Sequence, residues 1–256
     1  MKIEKRISGK KISIDEEKIH AFFEGRTQKN LPHRYNYVIY QDDTPELALE
    51  RDRYEKMLIR KYLRLDENSK VLDIGCGVGR WGDEVAKCFC KSASALGRYI
   101  GVDFSERLLA VAKDRLGSNS NFRFLYGSFQ DVVDVLDANH EDSLFSQVLV
   151  NGVLMYVNDE DVRKCLSNVD ICLQRGGIVY IKEPVGIRER FTLNQFYSKE
   201  LSSEYSAIYR SLYEYTALFT EAFFKKGYTL VACSPTWPED LENRKETMNY
   251  YWILRK

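Results

Sequence analysis

From Lys70 onward, short runs of apolar residues alternate with segments in which apolar positions recur every three or four residues. The runs Lys70 to Ile74, Tyr99 to Asp103, Phe122 to Tyr126, Gln147 to Asn151 and Ile178 to Glu183 have the length and the β-branched or aromatic content of strands. Helical spacing marks Arg80 to Cys90, Glu106 to Leu116 and Asp159 to Leu173. Strands that alternate with helices need crossover connections, so the pattern predicts a mostly parallel sheet covered on both faces, an α/β fold. A charged stretch from Ile187 to Leu212 reads as helical and interrupts the alternation, and a helix near Tyr213 to Lys226 follows. Two last strands, Tyr228 to Cys233 and Met248 to Leu254, have no long crossover between them and are expected as an antiparallel edge pair.

Ahead of Lys70 the pattern is different. Ile19, Phe22 and Phe23 share one side of a helical stretch from Asp15 to Gly25. A polar, aromatic passage with His33, Arg34 and Tyr40 comes next, and Thr44 with Pro45 at the first helical position starts a helix to about Leu63. Residues 1–66 are therefore expected to form a helical cap on a main domain of residues 67–256, which carries an insertion at about 186–214.

Composition narrows the class. The 256 residues are 44% hydrophobic and 30% charged, ordinary values for a folded globular chain. Lys+Arg and Asp+Glu are equal at 38 each, so no overall charge suits a nucleic acid or an anionic membrane. There is neither an apolar run of spanning length nor a secretory signal, and a cytoplasmic location is expected. Six cysteines lack a C-x-x-C pair and read as buried, reduced thiols, and no metal-ligand spacing appears.

The chemistry concentrates in VLDIGCGVGRWGDEVAK, Val71 to Lys87, where a strand ends at Asp73, a turn carries Gly75, Gly77 and Gly79, and a helix begins. Glycines let a ligand approach the backbone, and a helix start offers unpaired N–H groups to an anion. The next strand, YIGVD, ends in Asp103, which is placed to accept hydrogen bonds from vicinal ribose hydroxyls, and Phe104 after it is placed to stack on adenine.

Together these segments resemble motifs I and II of the class I S-adenosylmethionine-dependent methyltransferases, over about Lys70 to the C-terminus. The spacing is D-x-G-x-G-x-G; in the nicotinamide pattern G-x-G-x-x-G the position of Arg80 would be glycine. The resemblance implies a seven-stranded, Rossmann-like sheet ending in an antiparallel hairpin. It implies S-adenosylmethionine as cofactor and S-adenosylhomocysteine as product. Carried over by position, the turn Gly75, Cys76 and Gly77 lies by the methionine and ribose, Asp73 by the amino group and Asp103 on the ribose. Ser128 and Phe129 edge the adenine pocket, with Ser128 where many relatives have Asp, and Asn151 lies beside the sulfonium. Candidates for acceptor chemistry are Tyr156, Glu183 and His33. An alcohol acceptor needs a base, whereas a phosphate oxyanion or carboxylate does not. Basic residues Lys182, Arg188, Arg190, Lys199 and Arg210, with Arg34, are candidates for a phosphate pocket, against the alternative of a solvated helix. More distantly, the cap and the IKEPVG strand end are similar to methyltransferases of bacterial capsule and surface-polysaccharide synthesis, which implies a small-molecule acceptor, an oxygen of a sugar or phosphate-containing precursor. The alternatives are a noncatalytic cofactor-binding module, or an enzyme acting on nucleic acid or protein. The basic face or appended module expected of the nucleic-acid case is not evident.

Overall fold

The computed structural model describes residues 5–40, 42–89, 96–141 and 144–256. Seven strands form one sheet: β2 (Lys70–Ile74), β3 (Arg98–Asp103), β4 (Phe122–Tyr126), β5 (Phe145–Asn151), β6 (Leu173–Gly186), β9 (Thr229–Pro235) and β10 (Thr247–Arg255). Their order is β4-β3-β2-β5-β6-β10-β9, parallel from β4 through β6 and antiparallel for the last pair. The expected Rossmann-like architecture with its terminal hairpin is thus present.

Helices cover both faces because successive strand residues point to opposite sides. On one face Leu72, Ile74, Val148 and Val150 pack with Val132 and Leu136 of α5 (Val132–Ala138), Leu166 and Val169 of α6 (Val162–Cys172) and Phe219 of α7 (Leu212–Ala222). On the other, Val71, Tyr99 and Leu149 meet Ile59 and Leu63 of α2 (Pro45–Leu63), Val85 and Phe89 of α3 (Gly82–Phe89) and Ala112 of α4 (Glu106–Leu116). Cys90, expected at the end of α3, lies outside the described residues. Of the other cysteines, Cys76, Cys88, Cys165 and Cys172 are buried and reduced as expected, while Cys233, on edge strand β9, is exposed. Among the described residues no helix is long and apolar enough to cross a membrane.

Two expectations fail. The stretch Ile187 to Leu212 is not helical: it forms an antiparallel hairpin of β7 (Phe191–Ser198) and β8 (Ser203–Tyr209). The cap is not purely helical either, since β1 (Arg6–Ser8) adds to the hairpin in a three-stranded sheet, order β1-β7-β8. Helix α1 (Glu16–Arg26) lies against β8, with Ile208 joining Ile19 and Phe23 in one cluster. β1, α1 and the β7–β8 hairpin therefore form one layer over the C-terminal ends of the parallel strands, while α2 of the expected cap packs on a face of the sheet. The chain reverses direction across the sheet between β2 and β5, the point at which open α/β sheets part their loops and leave a crevice.

Candidate cofactor and acceptor site

That crevice is a cleft of about 480 Å³, lined from below by the ends of β2, β3, β5 and β6 and from above by the added layer. Its size falls in the range of small-molecule sites, about 300–1,000 Å³. Every position assigned to the cofactor from sequence lines it: Asp73, Gly75, Cys76, Gly77, Asp103, Phe104, Ser128, Phe129 and Asn151.

The floor is built from backbone. Gly75 and Gly77 have φ of 71° and 52°, conformations that favour glycine, and the N–H groups of Gly75 and Cys76 both donate to the carbonyl of Val102, fastening the turn to β3. A Cβ on Gly75 would stand 2.3 Å from Val153 Cγ2, so the turn and the segment after β5 fit only without it. Cys76 contributes backbone rather than thiol: its sulfur lies so close over Gly101 that a Cβ there would be 2.7 Å away, and burial raises its pKa.

Asp103 holds the turn from the side. Its Oδ2 accepts from the Gly77 N–H at 2.7 Å and its Oδ1 from the Ser105 N–H at 2.9 Å. A carboxylate offers about four lone-pair sites, so about two remain for hydroxyls of a ligand. Burial pushes its pKa up to about 6, against the opposing pull of the two backbone donors. Asp73 accepts from the Tyr99 hydroxyl at 2.5 Å, and burial pushes it to about 7. Phe104 stands edge-on to His20 and Phe23 beside Asp103. Ser128 donates its hydroxyl to Asp131, and the Phe129 ring is part of the core, so these two can offer a ligand mainly their backbone. The donor set fits a nucleoside with a charged amino-acid tail: a carboxylate with spare lone pairs, a tight glycine turn and an aromatic edge.

Sequence reasoning passed over a buried charged network at the far wall. Arg80 donates to Asp52 at 2.7 Å and to Glu55 at 2.8 Å, and Glu55 also accepts from Lys182 at 2.7 Å and from Tyr180 at 2.8 Å. The two cations hold the Glu55 carboxyl down to about 2 despite complete burial. Arg80 and Lys182 line the cleft, so α2 is tied to the cofactor floor through them. Only the arginine's place just after the glycine turn hinted at this in the sequence.

The three acceptor-side candidates separate. Tyr156, in a single 3-10 turn (Leu154–Tyr156), lines the cleft. Glu183 is not among the residues lining the cleft: it is fully buried and accepts from the backbone N–H groups of Val153, Leu154 and Met155 at 2.8, 2.8 and 3.2 Å, capping the turn that carries Tyr156. Burial pushes its pKa to about 7, but its oxygens are spent on that turn. His33 is also displaced from the chemistry. Its Nδ1 accepts from the Tyr35 N–H at 3.2 Å and caps a 3-10 turn, and the ring is not among the residues lining the cleft.

The expected phosphate pocket of basic residues does not assemble. Arg190 and Arg210 both pair with Asp159 at 2.7 Å, Arg34 bonds Asp83, and Arg188 and Lys199 are exposed away from the cleft wall. Lys182 alone of that group reaches it. The roof is instead tyrosine-rich, with Tyr40, Tyr205 and Tyr209 beside Tyr156, and it closes through Arg244, which pairs with Glu200 at 2.8 Å and donates to the Tyr40 carbonyl at 3.2 Å.

A glycine turn at the switch point of this sheet, with an acidic strand end beside it, is an arrangement that suits a nucleoside cofactor. Comparison with known proteins agrees. The family described as methyltransferase domain matches residues 71–177. A demethylmenaquinone methyltransferase of Staphylococcus aureus is 26% identical over 169 residues, which cover 66% of this chain and 61% of that protein. Phosphoethanolamine N-methyltransferase 1 of Haemonchus contortus superposes with a TM-score of 0.64 at 18% identity, over 93% of this chain and 48% of that one. A 1,6-didemethyltoxoflavin-N1-methyltransferase of Burkholderia thailandensis, with S-adenosylhomocysteine bound, gives 0.62 at 14% identity, over 97% and 93%. The family match spans residues 71–177, from the glycine-turn strand to the start of β6, and the solved S-adenosylmethionine-dependent methyltransferases share this fold.

Proposed function

We propose that this protein transfers the methyl group of S-adenosylmethionine to a small molecule bound between the glycine turn and the tyrosine-rich roof. The observation that carries the reading is Asp103: a buried carboxylate, fixed by the Gly77 and Ser105 N–H groups, with lone pairs left over at the mouth of the glycine turn. The cofactor would supply a methyl carbon already activated on a sulfonium. The protein's part is then alignment, which is worth roughly 7–11 kcal/mol in well-oriented systems. Gly75, Gly77 and Asp103 would fix the donor. The turn bearing Tyr156, held by Glu183 and by Arg210 through the Leu154 and Val157 carbonyls at 2.7 and 2.8 Å, would fix the acceptor's side.

The cleft also bears on what is methylated. Among the described residues no histidine lines it, Glu183 faces away, and burial raises the Tyr156 phenol well above its ordinary pKa, so that phenol is a donor and not a base at neutral pH. This favours an acceptor that needs no deprotonation. Of the oxygen acceptors expected from sequence, a phosphate-containing precursor has no proton to lose and would meet Lys245 and the Arg244–Glu200 pair at the edge of the cleft, whereas a sugar hydroxyl would need one of the lining carboxylates as its base. The named relatives above act on small molecules, in keeping with an enclosed cleft of this volume. The test is turnover: purified protein, labelled S-adenosylmethionine and a panel of phosphorylated, phenolic and amine acceptors. Label transfer to at least one, abolished by Asp103→Ala, is the expected result. Cofactor binding with no transfer to any acceptor class would favour a binding module.

A further inference from the structure

Three tyrosine hydroxyls meet in the roof of the cleft, with a fourth tyrosine nearby. Tyr156 comes from the turn after β5, Tyr40 from the N-terminal segment, and Tyr205 and Tyr209 from β8, and all four line the cleft. The Tyr156 and Tyr205 oxygens are 2.7 Å apart, and Tyr156 lies 3.4 Å from Tyr40. The rings are fixed edge-on by α1: Phe23 against Tyr156 at 5.0 Å, and Phe22 against Tyr205 at 5.4 Å and Tyr40 at 5.7 Å.

A chain of this kind has a proton to spare. Each phenol donates one hydrogen bond, so a line of hydroxyls joined end to end uses one fewer donor than it has members, whichever way it runs. Among the described residues no carboxylate or imidazole is bonded to these hydroxyls. Burial keeps all four phenols protonated, so each retains an O–H to donate. The spare O–H faces the cleft, where its strongest partner is an ionised oxygen. Leu193, Phe196, Leu201 and Met155 continue the wall beside the tyrosines, a surface suited to a flat apolar body.

We propose that the hydroxyl chain of Tyr40, Tyr156 and Tyr205, with Tyr209 beside it, is an oxyanion seat, which binds an acceptor that carries an ionised oxygen on a flat apolar body. The location of the seat beside the reacting methyl rests on the methyl-transfer reading; its preference for an oxyanion does not. In the reaction this implies, an O–CH3 bond forms as the C–S bond breaks, the electron pair goes to sulfur and neutralises the sulfonium, and no proton has to leave because the acceptor enters as the anion.

The test uses the full chain saturated with S-adenosylhomocysteine and para-nitrophenol as probe, since the visible absorbance of the phenolate reports its ionisation when bound. The expected result is binding as the phenolate, with an affinity for that form about tenfold or more above that for para-nitroanisole. Tyr205→Phe and Tyr156→Phe, each checked for an unchanged circular dichroism spectrum, should weaken the phenolate about tenfold and leave the anisole unchanged. Displacement of the bound probe by phenyl phosphate would assign the seat to phosphoryl oxygen, and failure to displace it to a phenolate or enolate. Binding of the neutral probe, no binding of either form, or equal affinity for phenolate in both variants and the parent would overturn the proposal. Calorimetry of S-adenosylhomocysteine alone keeps the outcomes apart: a seat that holds phenolate in a protein that ignores the cofactor would sink the methyl-transfer reading and spare the seat.

Discussion

The floor of the cleft and its roof are made in opposite ways. The floor draws its contacts from one short turn and the strand end beside it, mostly as backbone: Gly75 and Cys76 bonded to Val102, and Gly77 to Asp103. The roof brings side chains from the N-terminal segment, the turn after β5, the β7–β8 hairpin and the loop before β10, and ties them with long-range pairs such as Arg244 with Glu200 and Tyr40. A backbone floor tolerates little change and suits a constant ligand. A side-chain roof can be altered residue by residue, which suits the part of the reaction that differs between enzymes of one fold.

The largest effect that would test this contrast belongs to the floor. Asp103→Ala should weaken cofactor binding by about 100-fold or more, because it removes two hydrogen bonds to a charged acceptor and leaves the Gly77 and Ser105 N–H groups unpaired. Calorimetric titration with S-adenosylhomocysteine measures it, and a loss of only a few-fold would mean that the floor is not held by this residue.

A pH titration of the same binding comes next. Burial raises the folded-state pKa of Asp103 to about 6, above its ordinary value, so the folded protein takes up a proton there before the unfolded chain does. The group therefore costs stability once pH exceeds its folded pKa, and that cost fades as pH falls toward the ordinary carboxylate range. Function runs the other way, because the protonated acid has fewer acceptor sites: cofactor affinity should fall about tenfold between pH 7 and pH 5 while the fold is retained. Affinity that stays flat over that window would contradict the assignment.

Under the roof, Glu183→Gln separates positioning from catalysis. As the cap of the turn bearing Tyr156, its loss should cost about 1–3 kcal/mol of stability and lower kcat several-fold, with the pH profile of the rate unchanged. Loss of the acid limb of that profile would restore Glu183 as a base. The smallest effect is expected at His33→Ala, about 0.5–2 kcal/mol from a lost cap, with methyl transfer intact. A large drop in kcat there would show that the cap segment reaches the acceptor.

The same contrast explains what could be read from the chain. The strands from Lys70 to Glu183, the glycine turn and Asp103 were legible because the residues that define them are neighbours in sequence, and their spacing records the geometry directly. The β7–β8 hairpin reads as a helix in sequence because Arg188, Glu189 and Arg190 before it and Lys199, Glu200 and Glu204 around its turn give the stretch the mixed charge of a solvated helix. Its strand alternation is blurred as well, since Tyr205 through Ile208 are buried on both sides, between the cleft and α1. Its pairing partner is β1, far away at the start of the chain. Tyr205 and Tyr209, four apart on β8, left no signal that they would meet Tyr40 and Tyr156. Glu183 lies on the expected strand, which runs on past it to Gly186, and only the structure reveals that its oxygens turn toward backbone.

The central claim is that the cleft binds S-adenosylmethionine through the Gly75–Gly77 turn and Asp103. Isothermal titration of the purified chain with S-adenosylhomocysteine, and in parallel with NAD, tests it most directly. Saturable one-site binding of the former, lost in Asp103→Ala, with no binding of the latter is the predicted result. A folded protein that binds NAD in its place, or neither ligand, would contradict the claim.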